Sequence, residues 1–463
     1  MAGETPPPEM CYLDNNATTL MPQPVLDAMF KWSNRGNPSA EYASAREARQ
    51  MMDAFRRHIA VECGFELDGP NAYAVVFTSG ASESNCAVVA SAVRSYMTKT
   101  GRLPHVITSA TEHKSLLACC LRLAKERLCQ LTVLPVGRSG PGLGAVAATD
   151  LEAAMRPNTC LVSIMAANNE TGILNNLREL SAVTRRAKVP FHTDAVQLFG
   201  KSALRPVALG VDAFSVSFHK LGGPPGVGLL VLRRSFVDGY DLCAHICGSQ
   251  NGGLRGGTEN LPGIGASFAA FRRAMEGRAE KTARVERLRD VAKAAIASRL
   301  PCFYLDDHPA DAPPSIDGGI TPAGPAPHDG APAARRAIAA AERTGAPVVF
   351  WIAPEDSKRV LPNTILLAVR RPGFCNKAAR ASLEKRGVIV SLGSACNARD
   401  AERRDSPSSV VVAMGVPAAL QGGVLRISLG DDTTTEDIKA FVRHFLAVVT
   451  SDECLSAEYL GLA

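Results

Sequence analysis

Short apolar runs and longer amphipathic segments alternate between about residues 71 and 233. The apolar runs are rich in β-branched and aromatic residues, and the segments between them carry apolar residues at helical spacing. The predicted strands are Tyr73–Thr78, His105–Thr108, Leu131–Val136, Cys160–Met165, Pro190–Thr193, Ala213–Phe218 and Val227–Leu232. The helices predicted between them include Ser82–Tyr96, Lys114–Arg127 and Asn176–Ala187. This order predicts an α/β protein with a mostly parallel seven-stranded sheet covered by helices.

A lysine follows the sixth of these strands, where the chain reads Ser217-Phe-His219-Lys220 before a Gly- and Pro-rich turn. Ligands of parallel sheets collect at the carboxyl ends of strands. An amine held there beside a hydroxyl and an imidazole suits a Schiff base with a carbonyl cofactor. The alternative interpretation is a solvated strand end.

An acid follows the fifth strand. Asp194 could pair with the protonated ring nitrogen of pyridoxal phosphate, which must keep that proton to act as an electron sink, or it could cap the next helix. Gln197 could bond the cofactor's phenolic oxygen or lie on that helix. Asp194 and Lys220 are therefore a candidate couple.

Three other strand ends carry candidate groups. The segment Thr78–Ser84 leads into a helix, so its N–H groups and the Ser82 hydroxyl predict a phosphate site, or a simple helix cap. His113 could stack on a ring or relay a proton, or begin a helix. Asn169 could contact substrate and cofactor, or shape a turn.

Composition narrows the class of protein. The length of 463 residues predicts two domains. The net charge of +6 is dispersed, so nucleic acid is not implied, and no run of 18 apolar residues predicts a membrane span. The first ten residues do not resemble a targeting peptide, so we expect a cytoplasmic protein. The 13 cysteines lack disulfide or zinc spacing, which predicts reduced thiols and no metal site.

The order of the motifs carries a resemblance. TSGASES, TEH, NNETG, HTDAVQ and SFHKLGGPPGVG, with YLDNNATT, GNPS, RGGTEN, GSAC and RISLG, resemble the cysteine desulfurases. These are pyridoxal-phosphate enzymes of the aspartate-aminotransferase fold, fold type I, in the class V aminotransferase superfamily. The resemblance extends from Tyr12 to about Thr433, broken by one divergent stretch. Ser82 replaces a usual Thr but keeps the hydroxyl, and neither Tyr42 nor Phe218, also unlike the family, removes a required group.

The resemblance implies a role for each candidate. Lys220 would be the Schiff-base lysine, Asp194 the partner of the pyridine nitrogen, and His113 the stacking group and acid or base. The other implied cofactor or substrate contacts are Ala81, Ser82, Ser217 and His219 with the phosphate, and Gln197 and Asn169 with the cofactor's oxygen and the substrate.

Three further roles come from the later motifs. Arg426 would bind the substrate α-carboxylate through its guanidinium, although an arginine at a strand edge is the alternative. Thr258 would reach the phosphate of the neighbouring subunit, which implies a homodimer. Cys396, among small residues typical of a loop, would be the nucleophile that keeps sulfur as a persulfide; a buried structural cysteine is the alternative.

The predicted function is therefore a cysteine desulfurase that converts L-cysteine to L-alanine. Its sulfur would pass to an acceptor such as an iron–sulfur scaffold. Two alternatives stay open: a selenocysteine lyase, which would share nearly all the motifs, and a non-catalytic partner or scaffold subunit, which the complete set of motifs disfavours.

The predicted domains follow from the same pattern. A large cofactor-binding domain would span residues 25–265, and residues 1–24 and 266–463 would form a small α/β domain. Ala266–Leu300 would be one long connecting helix. The Pro-, Ala- and Gly-rich stretch at about 306–358 would be an exposed, partly disordered insertion that contains a helical segment, Ala331–Arg343.

Overall fold

The computed structural model describes residues 10–69, 72–240, 242, 244–305, 332–393, 407–456 and 459–460. The strands are β1 Cys11–Tyr12, β2 Tyr73–Thr78, β3 His105–Ser109, β4 Gln130–Leu134, β5 Thr159–Ser163, β6 Phe191–Asp194, β7 Ala213–Ser217, β8 Gly228–Arg233, β9 Cys302–Tyr304, β10 Val348–Trp351, β11 Thr364–Arg370, β12 Val388–Ile389 and β13 Val424–Ser428. The helices are α1 Gln23–Trp32, α2 Ala43–Cys63, α3 Ala81–Thr100, α4 Lys114–Lys125, α5 Ala148–Ala154, α6 Leu177–Arg186, α7 Pro206–Leu209, α8 Arg234–Tyr240, α9 Leu261–Met275, α10 Arg278–Ala297, α11 Pro332–Thr344, α12 Asn376–Lys385, α13 Ser409–Ala413, α14 Ala418–Gln421 and α15 Thr435–Thr450.

The large sheet has seven strands in the order β2-β8-β7-β6-β5-β3-β4. Strand β8 is antiparallel to both of its neighbours, and the other pairs are parallel. Its inner strands, such as β5 and β7, are buried along their whole length because helices cover both faces, which explains their nearly continuous apolar sequences. The predicted α/β fold is confirmed, and each predicted strand end differs from the observed one by no more than two residues.

The second sheet has four strands in the order β13-β11-β10-β9. Apolar residues of α10, α12 and α15 pack together with β11 and β13 in one core cluster. Strand β10 is fully buried and lies between β9 and β11. The expectation of an exposed insertion is therefore wrong for Val348–Trp351: the apolar run there is too short to stand out in an Ala- and Pro-rich stretch. Helix α11 confirms the predicted helical segment, and residues 306–331 lie outside the described residues.

The predicted connecting helix Ala266–Leu300 is two helices, α9 and α10. They are separated at Gly277, whose φ of 59° is left-handed and interrupts helical geometry. Helix α9 also spans the predicted boundary at residue 265, and its Ala266 and Ala270 pack in a cluster with Val25. The division into two domains stays a prediction.

The fold places the candidate lysine at the carboxyl end of β7, an inner strand of the large sheet. Lys220 lies on a 3₁₀ turn, Phe218–Leu221, that directly follows β7 and ends at Gly222, whose φ is 76°. None of the described helices has both the length and the apolar composition needed to cross a membrane.

Candidate active site

One cavity of about 390 Å³ opens where β6, β7 and the start of α3 meet the chain after β3. The predicted site residues in its wall are Ala81, Ser82, His113, Asn169, Asp194, Gln197, Ser217, His219, Lys220 and Arg426. Thr258 is exposed and is not among the described lining residues. Cys396 lies outside the described residues. The fold therefore brings together most of a set that is spread over more than 300 residues of sequence.

The Lys220 amine is held by the N-terminal segment of the chain. Its Nζ donates hydrogen bonds to the carbonyl oxygens of Asn16 at 2.9 Å and Ala17 at 2.6 Å. The same segment is attached to the lysine turn by Thr19, whose N–H donates to the His219 carbonyl at 2.8 Å. The segment from Asn16 to Thr19 thus holds Lys220, which lies about 200 positions later in the sequence.

Asp194 is the last residue of β6 and is 5% exposed. Its Oδ2 accepts a hydrogen bond from Asn85 Nδ2 at 2.8 Å, and its Oδ1 accepts one from the Val196 N–H at 3.0 Å. The two bonds hold the carboxyl group of Asp194 in place, and a carboxylate is the usual partner of a protonated ring nitrogen. The helix-cap alternative is wrong, because the residues after Asp194 form a turn, which the Val196 bond closes, and the next helix is α7.

His113 begins α4 and lies in the cavity wall. Its Nδ1 accepts a hydrogen bond from the Ser115 N–H at 3.2 Å and lies 2.8 Å from Ser115 Oγ. Because a backbone N–H donates to Nδ1, the neutral ring carries its proton on Nε2. Ser115 Oγ also accepts from Asn85 Nδ2 at 3.3 Å, so one chain of hydrogen bonds joins His113 to Asp194.

Asn85 and Ser115 were not predicted from the sequence. Asn85 lies four residues after Ala81 on α3, so helical spacing places it one turn below the candidate phosphate site. That spacing was a usable signal for Asn85. Nothing comparable in the sequence pairs Ser115 with it.

The start of α3 is suited to an anion. Gly80 precedes the helix with a φ of 148°, and no described side chain caps its N-terminus. A Cβ built at Gly80 would lie 3.8 Å from Ser217 Oγ, so the hydroxyl faces the same turn. Free N–H groups, the helix dipole and this hydroxyl together favour a phosphate.

His219 completes that side of the cavity. Burial, and then the charges of Lys220 and His113, lower the pKa of His219 to about 4. Its Nδ1 lies 3.2 Å from Thr18 Oγ1. At neutral pH the ring is therefore uncharged and acts through hydrogen bonds.

Arg426 lies on β13, which is the edge strand of the four-stranded sheet, as the strand-edge alternative has it, but its side chain is only 1% exposed. Its Nη2 pairs with Asp14 Oδ1 at 2.7 Å, and its Nη1 donates to the Asn169 carbonyl at 3.0 Å. Its buried Nε has no hydrogen-bond partner among the described residues. A buried guanidinium with an unmatched donor in a cavity wall suits a carboxylate ligand.

Two buried glutamates were also missed. Glu112 accepts hydrogen bonds on Oε1 from Ser109 Oγ at 2.7 Å and the Met165 N–H at 2.8 Å. Burial, helped by the charge of Asp194, raises the pKa of Glu112 to about 8. The carboxyl group of Glu112 is therefore protonated at pH 7.

Glu170 is the second of these glutamates. Its Oε2 accepts a hydrogen bond from Ser408 Oγ at 2.5 Å, and burial raises its pKa. A Cβ built at Gly393 would lie 3.0 Å from the same oxygen. Gly393, the first residue of the GSAC motif of Cys396, and Ser408, which follows that motif in the chain, therefore lie at one carboxyl group.

The residues present fit pyridoxal phosphate. The cavity offers an amine, an anion held by two donors, an imidazole and an uncapped helix start with a hydroxyl. The start of α3 has no side-chain cap, and the Nε of Arg426 has no hydrogen-bond partner among the described residues. Both suit the anionic groups of a cofactor and an amino-acid substrate.

Comparison with known proteins agrees with this chemistry. The family model "Aminotransferase class-V" matches residues 11–319. The "Cysteine desulfurase IscS" of Dictyoglomus turgidum is 32% identical over 92% of this chain and 91% of its own length. The "Selenocysteine lyase" of Bos taurus is 29% identical over 95% of this chain and 94% of its own length. A solved NifS-like protein superposes with a TM-score of 0.73 at 27% identity, covering 95% of this chain and 99% of its own.

The fold and the site thus define a class-V aminotransferase, a class that depends on pyridoxal phosphate. Within that class the chain belongs to the cysteine desulfurase family. The family and the cofactor predicted from the sequence are confirmed.

Proposed function

We propose that this protein is a cysteine desulfurase that converts L-cysteine to L-alanine and keeps the sulfur as a persulfide on Cys396. The observation that carries the proposal is the joint presence of the Lys220 amine and the unmatched Nε of Arg426 in one cavity. An amine that holds the cofactor and an arginine that holds an α-carboxylate are the two requirements of amino-acid chemistry.

The site residues then divide the work of cofactor binding, substrate binding and proton transfer. Pyridoxal phosphate, when bound, supplies an electron sink. Asp194 would hold the proton on the ring nitrogen, and the start of α3 with Ser217 would bind the phosphate. Arg426 would orient the substrate by its carboxylate. His113 Nε2 would donate or, after losing its proton, accept one.

Cys396 would perform the step that distinguishes desulfuration from other chemistry of this fold. Its thiolate would attack the substrate sulfur, so that a sulfur–sulfur bond forms while the carbon–sulfur bond breaks and alanine leaves. The role rests on the GSAC motif and on two described residues, Gly393 at its start and Ser408 after it, which lie at Glu170 in the cavity wall.

The partners belong to the same proposal. Thr258 would complete the phosphate site of a second copy, in line with its exposure. The persulfide would pass to an acceptor protein such as an iron–sulfur scaffold, in the cytoplasm. If Thr258 has this role, cofactor affinity falls when dimers are diluted into monomers.

The test is Cys396→Ser in the cofactor-loaded protein. The variant should keep the change in cofactor absorbance when L-cysteine is added, because Lys220, Asp194 and Arg426 are unchanged. It should lose production of alanine and sulfide. Mass spectrometry of the wild type after substrate should find one added sulfur on the peptide that contains Cys396. A persulfide on another cysteine, or full activity of the variant, would contradict the proposal.

The selenocysteine lyase of Bos taurus is similar over nearly the same length as the desulfurases, so it is the second candidate. Turnover of L-cysteine and L-selenocysteine by the same preparation separates the two. A marked preference for selenocysteine would replace the first proposal. An absorbance spectrum without a cofactor band after reconstitution would support the idle-subunit alternative instead.

A further inference from the structure

A second lysine lies behind the cofactor site. Lys201 follows Gly200, and its Nζ donates hydrogen bonds to Gln197 Oε1 at 2.8 Å and Asn16 Oδ1 at 2.9 Å. Both partners line the active-site cavity, whereas Lys201 lines a neighbouring cavity of about 230 Å³. Among the described residues, the hydrogen bonds of the Lys201 amine to the active-site cavity go to these two amides.

When Lys201 is charged, below its pKa of about 7, its ammonium group has donors and no acceptor, so its partner on each amide is the oxygen. This settles the orientation of the Gln197 amide by chemistry: the oxygen faces Lys201 and the NH₂ group faces the other side. There Gln197 Nε2 donates to the Asn16 carbonyl at 3.0 Å, the same oxygen that accepts from Lys220 Nζ at 2.9 Å.

Keeping a lysine here carries an electrostatic cost. Burial lowers the pKa of Lys201 to about 7, and the charges of Lys220 and Arg426 act in the same direction, against the opposing charge of Asp431. An apolar side chain of similar length would avoid that cost. The two hydrogen bonds to amide oxygens are what an apolar residue would lose.

We propose that Lys201 is a positioning residue of the cofactor site, which holds the Gln197 amide so that its N–H groups, and not its oxygen, are presented to the cofactor's phenolic oxygen. The inference rests on the proposed role of Gln197. Without Lys201 the amide can rotate, and an amide oxygen turned toward an anionic oxygen would repel it.

The experiment compares Lys201→Met with wild type as holoenzymes. Each is equilibrated at decreasing cofactor concentration, and the dissociation constant is taken from the loss of the cofactor's absorbance. Two probes are used, pyridoxal phosphate and its 3-deoxy analogue, which lacks the phenolic oxygen. We expect Lys201→Met to weaken pyridoxal phosphate binding on the order of 10-fold and to leave binding of the deoxy analogue nearly unchanged.

Gln197→Ala separates this inference from its premise. If wild type binds both probes equally and Gln197→Ala changes neither, the proposed role of Gln197 fails. If Gln197→Ala binds pyridoxal phosphate more weakly than wild type does but Lys201→Met binds it as tightly as wild type, the role of Lys201 alone is overturned. In the double variant, Lys201→Met should add little to Gln197→Ala.

A general structural effect gives a different pattern. Such an effect of Lys201→Met would weaken the binding of both probes equally. It would also lower the thermal unfolding midpoint both in wild type and in the Gln197→Ala variant. That result would also overturn the proposal. Lys439→Met is the matched control, since the Lys439 side chain is 69% exposed on α15 and should leave both dissociation constants unchanged.

Discussion

The two walls of the active-site cavity are built differently. On the wall formed by the large sheet, the neutral wall, the uncharged side chains of Asn85 and Ser115 link Asp194 to His113 by hydrogen bonds. Another part of the wall, the charged wall, is formed by Arg426 on β13, which is held by an ion pair with Asp14. The first wall is suited to a cofactor that stays bound, because its side chains are fixed by hydrogen bonds to one another. The second is suited to a substrate that binds and leaves, because Arg426 keeps a donor without a described partner.

The largest expected effect concerns Lys220. Lys220→Ala should remain folded, because the side chain is at a cavity surface, but should lower alanine production on the order of 1,000-fold or more, because the amine that holds the cofactor is lost. Product assays with circular dichroism check both parts. Turnover close to that of wild type would remove Lys220 from the mechanism.

Arg426→Gln tests the charged wall. Loss of the guanidinium should lower kcat/KM for L-cysteine on the order of 100-fold, and it also leaves Asp14 without its ion-pair partner, which destabilises the fold. The double variant Asp14→Asn, Arg426→Gln should recover stability in thermal unfolding but not kcat/KM. If activity returns together with stability, Arg426 serves the fold and does not bind substrate.

Asn85→Leu tests the neutral wall with an apolar side chain of the same branched shape. It removes the donor to Asp194 Oδ2 and the link to Ser115, so cofactor binding should weaken on the order of 10-fold while the KM for L-cysteine changes little. Cofactor titration and initial rates at saturating cofactor measure the two separately. An effect on KM alone would show that the two walls do not divide the work in this way.

The sequence predicted the large sheet better than the small one for a physical reason. Strands such as β7 are buried on both faces and separated by amphipathic helices, so their apolar runs stand out. Strand β10 is equally buried, but its four residues follow a long Ala- and Pro-rich stretch that hides them.

The site shows the same limit. Lys220 and Asp194 could be predicted from motifs at strand ends, because the residues that suggest their roles are neighbours in the sequence. The supporting residues depend on contacts between distant segments, as when Lys201 reaches Asn16 or Ser408 reaches Glu170. No pattern within either segment indicates its partner, so only the fold reveals it.

The smallest effect on activity is expected at Glu112, which supports the neutral wall without charge. The folded-state pKa of about 8 lies above the ordinary value of 4.5. Between these values the unfolded chain releases a proton that the folded protein keeps, so the free energy of unfolding falls as pH rises from about 4.5 to 8. Glu112→Gln keeps an oxygen for Ser109 and Met165 and removes this titration. The variant should therefore match wild type near pH 4.5 and be more stable by up to about 3 kcal/mol at pH 7. Urea unfolding at several pH values measures this, and an unchanged pH slope would mean that Glu112 is ionised in the folded protein.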